Sequence, residues 1–189
     1  MSDITFRLFE PGDALAFRQL NEDWIQEFFA LEAQDHQVLA DPQGSVLDQG
    51  GAIVMAMEGR RAVGCCALLA TGGGSYELVK MNIAKERRGA GLGRRLLAFV
   101  IDHARAIHAR RLYLETNSKL ANAIHLYESA GFRRVPPEHP TPYTRVDVFM
   151  ELTLGRGSTL NLAAYLERIG HAGALTPTLE TLQTLHLAH

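Results

Sequence analysis

Cysteine is nearly absent from this 189-residue chain, and its two copies, Cys65 and Cys66, are neighbours in one apolar run. Adjacent side chains on a strand point to opposite faces, so the pair offers neither a mutual disulfide nor a redox motif. Charge of one sign is missing too. Nineteen basic residues stand against 21 acidic ones, for a net charge of −2. That balance supplies no basic field for a nucleic acid or an anionic membrane surface. No apolar run approaches the length that spans a bilayer. The opening Met1-Ser2-Asp3-Ile4-Thr5 lacks the basic and apolar regions of a secretory signal, so a cytoplasmic location is expected. His103 and His108 stand five apart on one helical stretch, without the four-residue spacing of a zinc motif, and no metal is expected. No Ser-His-Asp or Cys-His spacing suggests a covalent acyl-enzyme. Proline is scarce outside one segment, where Pro136, Pro137, Pro140 and Pro142 mark an irregular loop.

What the chain has is a core. Hydrophobic residues make up 47% and charged residues 21%, the balance of a folded globular protein. Ile4, Phe6 and Leu8 alternate as a first strand. Pro11-Gly12-Asp13 breaks it and offers Asp13 as the N-cap of a helix bearing Phe17, Leu20, Trp24 and Phe28 on one face. The pattern fades from Glu32 to Gln49. Residues 52–57 and 62–71 read as a hairpin turning at Gly59, followed by Gly72-Gly73-Gly74 and a strand over 76–83. Leu92, Leu96, Val100, Ala104 and Ile107 recur at helical spacing. A strand over 111–116, a helix over 120–130 closed by Gly131, a short strand over 132–135 and a last strand carrying Val146, Val148, Met150 and Leu152 complete the domain. The order predicts a mixed α/β sheet with helices on its faces.

The strongest chemical signal is Arg88-Gly89-Ala90-Gly91-Leu92-Gly93-Arg94-Arg95, lying between an apolar strand and a long amphipathic helix. Glycines there let the backbone turn sharply and bring N–H groups near a ligand. The first helical turn leaves N–H groups unpaired and carries partial positive charge, which together form a cradle for a pyrophosphate. A P-loop would need Gly-Lys-Ser/Thr where Gly93 precedes Arg94. A dinucleotide fingerprint belongs to the first βα unit and needs a further glycine near Leu96. Taken alone, the turn also reads as a glycine-rich bend with an exposed arginine face.

Residues 88–97, followed by Leu114-Glu115-Thr116-Asn117 and then by the stretch from Asn122 through Tyr127 to Gly131-Phe132, resemble the GNAT superfamily of N-acetyltransferases. The resemblance covers about residues 4–152. It implies a mixed, mostly antiparallel sheet in which two parallel strands, 76–83 and 111–117, splay apart. It implies that acetyl-CoA is the cosubstrate and that its pantetheine arm lies in the gap. Met81 and Ile83, flanking Asn82, would offer backbone groups to that arm. Arg88, Gly89, Ala90, Gly91, Leu92, Gly93 and Arg94 would hold the pyrophosphate, with Asn117 and Asn122 as polar anchors. By the same resemblance Tyr127 is the general acid for the departing thiolate, and Glu77 the general base. Each has a plainer reading: Tyr127 as an aromatic packed beside Leu126 and Phe132, Glu77 as a solvated strand charge, Asn122 as a polar residue of a first helical turn. Glu115 is an alternative base, with a strand position that suits a structural role.

An alkyl amine is mostly protonated near neutrality, so an acceptor must lose a proton before attack. A backbone N–H at the splay is expected to steady the oxyanion. Trp24, Phe28 and Phe29 offer an aromatic wall, and Glu22, Asp23, Glu27, Glu32 and Asp35 either favour a cationic amine or form an ordinary acidic solvent face.

The sequence predicts residues 1–154 as the acetyltransferase domain and 155–189 as a linker with a short helical extension. The segment 160–182 resembles the opening of arylamine N-acetyltransferases, whose cysteine nucleophile has no counterpart after Cys66. The expected activity is direct acetyl transfer to a primary amine of a small molecule or peptide, with no nucleic-acid or membrane partner; the resemblance also allows a homodimer. The alternatives are a non-catalytic acyl-CoA sensor and a docking module for a fused arylamine acetyltransferase.

Overall fold

The computed structural model describes residues 4–155. The 155–189 extension, apart from Gly155, and its arylamine acetyltransferase resemblance lie outside the described residues. Seven strands form one sheet: β1 (Ile4–Leu8), β2 (Ala52–Glu58), β3 (Arg61–Gly72), β4 (Ser75–Ile83), β5 (Arg111–Thr116), β6 (Arg133–Arg134) and β7 (Val148–Thr153), in spatial order β1-β2-β3-β4-β5-β7-β6. Every pairing is antiparallel except β4 with β5. The connection between those two is helix α3 (Leu92–Ala106), since parallel neighbours need a crossover.

Each face of the sheet buries its own core. On one face α3 and α4 (Ala121–Ser129) pack Leu96, Phe99, Val100 and Ile124 against Val54, Leu68, Leu78, Leu112 and Leu114. On the other, α1 (Ala14–Phe28) and α2 (Ala33–Ala40) pack Phe17, Ile25, Val38 and Leu39 against Ile53, Met55 and Cys65. Strands β2 and β3 are covered on both sides, which explains their continuous apolarity. Cys65 and Cys66 accordingly fall into opposite cores as free thiols.

Several sequence expectations shift. Asp13 stands at the N-cap position of α1, but its side chain makes no capping hydrogen bond to that helix. It ends a 3₁₀ turn over Pro11–Asp13, where its carboxylate accepts the Glu10 N–H (2.8 Å) and pairs with Arg7. The faded stretch after Glu32 contains α2, whose start is held by the Glu32 N–H donating to Asp35 Oδ2 (3.0 Å), and a wide turn over Gln43–Leu47. Val146 falls outside β7, because Asp147 turns away to accept the Ser118 N–H (2.7 Å) and hydroxyl (2.6 Å). The short strand shrinks to Arg133–Arg134, although the Val135 N–H still reaches the Phe149 carbonyl (3.0 Å).

The decisive feature is how little of β4 touches β5. Their parallel register holds only for Ser75↔Arg111, Tyr76↔Leu112 and Glu77↔Tyr113. Beyond Glu77 the strands part. The cause lies on the other edge of β4: between the pairs Ala67↔Val79 and Cys65↔Asn82, three residue steps of β4 oppose two of β3. That bulge sits at Lys80, whose φ is +54°. A bulge bends its strand and increases its twist, here carrying the end of β4 away from β5.

Candidate active site

Where β4 and β5 separate, a cleft of about 590 Å³ opens, a size suited to a small-molecule ligand. It is a passage through the sheet. Asn122, Ala123, Leu126 and Tyr127 of α4 line it from one face, and Asn21, Trp24, Phe29, Tyr143 and Arg145 from the other. The exposed edge of β4 forms one wall. The Ala84 N–H donates to the Val63 carbonyl, so by alternation the backbone groups of Ile83 and Met81 turn away from β3 toward the gap. The Ile83 carbonyl accepts from Arg88 Nε (2.9 Å).

The glycine turn leads from that wall into α3. Gly89 (φ +81°) and Gly91 (φ +75°) adopt left-handed backbone with open space where a Cβ would stand, so conformation rather than room demands glycine there. Gly93, in the first helical turn, brings α3 close to Leu126 and Ile83. Gly91 begins α3 without a side-chain cap, and the helix's first N–H groups are the kind that accept an anion.

The structure brings Glu77, Met81, Asn82, Ile83, Arg88, Gly89, Gly93, Asn117, Asn122 and Tyr127 onto one cleft. Ala90, Gly91, Leu92 and Arg94 do not line it. Leu92 is a core residue, so only its backbone is available to a ligand. Arg94 lines a separate groove between α3 and α4. The Arg88 guanidinium is tied to Glu27 (2.7 Å) and lies over Phe28. Both ends of the Asn117 amide are engaged in loop structure, donating to the Arg145 carbonyl (2.5 Å) and accepting the Lys119 N–H (2.8 Å). The Asn82 side chain is buried, donating to Asn21 Oδ1 (2.8 Å) and meeting Cys65 Sγ (3.5 Å).

Tyr127 is buried at the cleft, its ring 5.7 Å from that of Phe132. Burial, with a smaller contribution from Cys66, raises its pKa, so the phenol keeps its proton. Glu77 lies on the opposite face of the sheet. Burial first, and then the Glu115 charge, push its carboxyl up to about 7, against opposing pulls from His139 and Lys80. A carboxyl there changes charge near neutral pH, as an acid–base catalyst requires.

The α1/α2 side also holds a buried ion network that sequence reasoning missed. Asp35, fully buried, accepts from Lys80 Nζ (2.5 Å) and from both terminal nitrogens of Arg145 (2.8 Å each). Arg145 also pairs with Glu32 (3.0 Å), and Lys80 donates to the Tyr143 hydroxyl (3.1 Å). Neither Glu32 nor Asp35 belongs to a solvated acidic face. The available signal was Lys80, a lone cation within the apolar stretch 76–83. The other acidic residues of α1 are partly paired as well, Glu22 with Arg18 and Glu27 with Arg88 and Lys85. Phe28 is exposed and does not line the cleft, whereas Trp24 and Phe29 do.

Comparison with known proteins decides the family. Residues 16–132 match the Acetyltransferase (GNAT) family. The chain belongs to it. An IAA acetyltransferase of Azospirillum brasilense is 36% identical over 121 residues, covering 64% of this chain and 74% of that protein. A GNAT-family acetyltransferase of Staphylococcus aureus superposes with a TM-score of 0.74 at 20% identity, covering 81% of this chain and all of that one. An acetyltransferase of Salmonella typhimurium, solved with its cofactor acetyl-CoA, superposes with a TM-score of 0.64 at 23% identity, covering 83% and 97% of the two chains. This GNAT chain is therefore an N-acetyltransferase with a mixed sheet opened at one parallel pair.

The ion network yields a stability prediction. Burial alone would raise the Asp35 carboxyl, but hydrogen bonds from Arg145, Lys80 and the Glu32 backbone outweigh it and hold it at about 2. Because this folded-state value is depressed below the ordinary 3.8, the stability Asp35 contributes is present above that pH and is lost as pH falls through about 2. Asp35→Ala leaves Lys80 and Arg145 without their shared counter-charge. It is expected to cost about 3–5 kcal/mol, read as a lowered urea midpoint at pH 7, and to flatten the acid limb of the wild-type profile.

Proposed function

We propose that this GNAT enzyme transfers acetyl from acetyl-CoA directly to a primary amine bound on the α1/α2 side of the cleft. The observation that carries this reading is the passage through the sheet, with the Tyr127 phenol on one side and the Glu77 carboxyl on the other. The residues present fit the cosubstrate. The β4 edge beyond Glu77, free of β5 and engaged at Ile83 only by Arg88 Nε, suits an extended amide-bearing arm, which adds to it like a strand. The left-handed turn at Gly89 and Gly91 and the uncapped start of α3 suit a pyrophosphate. Likeness in fold to a protein solved with acetyl-CoA supports the same choice. When bound, acetyl-CoA supplies an activated acyl thioester.

The chain's own residues supply binding and proton handling. Glu77 takes a proton from the incoming ammonium, and Tyr127 donates its phenolic proton toward the departing sulfur. A cysteine nucleophile is disfavoured: Cys65 and Cys66 are fully buried, and burial pushes the Cys65 thiol up to about 12 and Cys66 well above the ordinary thiol range. Burial of both thiols supports direct transfer within a ternary complex. Such transfer relies on holding donor and acceptor in one passage, and proximity contributes much of the barrier reduction.

Release of coenzyme A thiol in the presence of acetyl-CoA and an amine panel tests this reading. Tyr127→Phe is expected to lower kcat by about 100-fold or more with little change in acetyl-CoA affinity; an unchanged kcat would remove Tyr127 from this role. The active form of Glu77 is the carboxylate, so kcat/KM should rise with pH through about 7 and then level off. Glu77→Gln should abolish that limb, and a limb that survives the substitution would assign it to another group.

A further inference from the structure

The charges facing the acceptor side of the cleft are not balanced, and the imbalance selects a substrate. The cationic side chains lining the cleft are Lys80, Arg88 and Arg145, and each is already paired with a carboxylate of the chain: Lys80 with Asp35, Arg88 with Glu27, Arg145 with Asp35 and Glu32. Two carboxylates lining it, Glu77 and Glu115, have no cation bonded to them among the described residues. Both project from the same face of neighbouring strands, since Glu77 stands opposite Tyr113 in the parallel register and Glu115 lies two residues further along β5. Glu115 Oε2 accepts from the Thr141 hydroxyl, while its Oε1 is buried with no partner. The hydroxyl of Tyr113, a residue 6% exposed, is likewise buried without a partner beside this pair.

A carboxylate oxygen left unpaired on a cleft-lining residue of the free enzyme is a group a donor-rich ligand would satisfy. A primary ammonium brings three N–H donors and one positive charge. The walls around it are aromatic, with Trp24, Phe29 and Tyr143 lining the same side. Such a wall suits a flat or aliphatic arm, since Arg145 and Lys80 already lie over the Phe29 and Tyr143 rings. A carboxylate on the acceptor would meet the opposite situation. It would approach Glu77 and Glu115 and find Lys80 and Arg145 already engaged. Burying an unpaired charge next to like charges is strongly disfavoured.

From this juxtaposition we infer that the acceptor is a primary alkyl- or aralkylamine that carries no carboxylate next to its amino group, with Glu115 holding the ammonium while Glu77 receives its proton. The inference rests on the acetyl-transfer reading for the identity of the reaction, but its recognition step is independent of turnover. Glu115 is then a specificity-determining residue, and amino acids are rejected by charge rather than by size.

The test separates binding from chemistry. Calorimetry on the full-length protein saturated with coenzyme A would compare phenethylamine, phenylalanine and phenylalanine methyl ester. The expected order is amine and ester binding within a few-fold of each other and about 100-fold tighter than the zwitterion, because the ester restores the net positive charge while keeping the bulk. Glu115→Gln is expected to raise KM for the amine at least about 10-fold with a smaller change in kcat, in protein whose thermal unfolding matches wild type. Phenylalanine binding as well as phenethylamine, an ester that behaves like the acid, or no binding of any of the three would overturn the inference. Selective amine binding without coenzyme A release when acetyl-CoA replaces coenzyme A would sustain it and instead overturn the transfer reading.

Discussion

The separation of β4 from β5 is the constraint from which the rest of the site follows. Two parallel strands that stayed paired would satisfy one another's backbone groups and seal the sheet. Here three pairs hold the strands together and the bulge at Lys80 drives them apart. The gap therefore has a free backbone edge on one wall and opens to both faces of the sheet. Each face brings different chemistry. The α3/α4 side supplies the left-handed glycine turn, Asn122 and the buried phenol of Tyr127. The α1/α2 side supplies carboxylates, aromatic rings and the ion network. The two sets of groups face one cleft where the strands part.

Lys80 links geometry to electrostatics. A positive φ at a long side chain is costly and persists only where the surroundings over-determine it. At Lys80 they do. The bulge gives its side chain the same face as Val79, and Asp35 and Tyr143 hold the ammonium there. Arg145 shares Asp35 and reaches Glu32, so the loop before β7 is fastened to the start of α2. The segment that roofs Glu77 and Glu115, with Thr141 bonded to Glu115 and the His139 ring 5.7 Å from Tyr113, runs into that fastening.

Much of this was legible in the sequence. Alternation gave β1 and the core of β7, continuous apolarity gave the doubly covered β3, and the glycines between an apolar strand and an amphipathic helix marked the start of α3. What escaped depended on contacts distant in the chain. Asp35 reads as one acidic residue among several, and only the approach of Lys80 and Arg145, 45 and 110 residues away, makes it a buried hub. Helix α2 was hidden because its start uses Glu32 and Asp35 in place of the serine or threonine of the familiar capping pattern. Asn117 and Arg88 lie where the motif puts them, yet local loop and ion-pair bonding engages their side chains. A motif specifies backbone position better than it specifies the use of a side chain.

The ion network also bears on why an enzyme would keep an arrangement that hydrophobic packing could replace. Removing two cations and two carboxylates from water carries a desolvation cost that their attraction offsets only when geometry is good and every lone pair is used. Asp35 meets that condition, accepting from Lys80, from Arg145 and from the Glu32 backbone. An apolar substitute of equal volume would match its stability, but it would remove Lys80 from beside Glu77 and leave His139 as the other group that lowers its carboxyl. Without Lys80 the Glu77 carboxyl would lose one of the two charges that pull it down and would rise from about 7. The network therefore bears on Glu77 through Lys80, which opposes the upward push that burial first, and then Glu115, give its carboxyl.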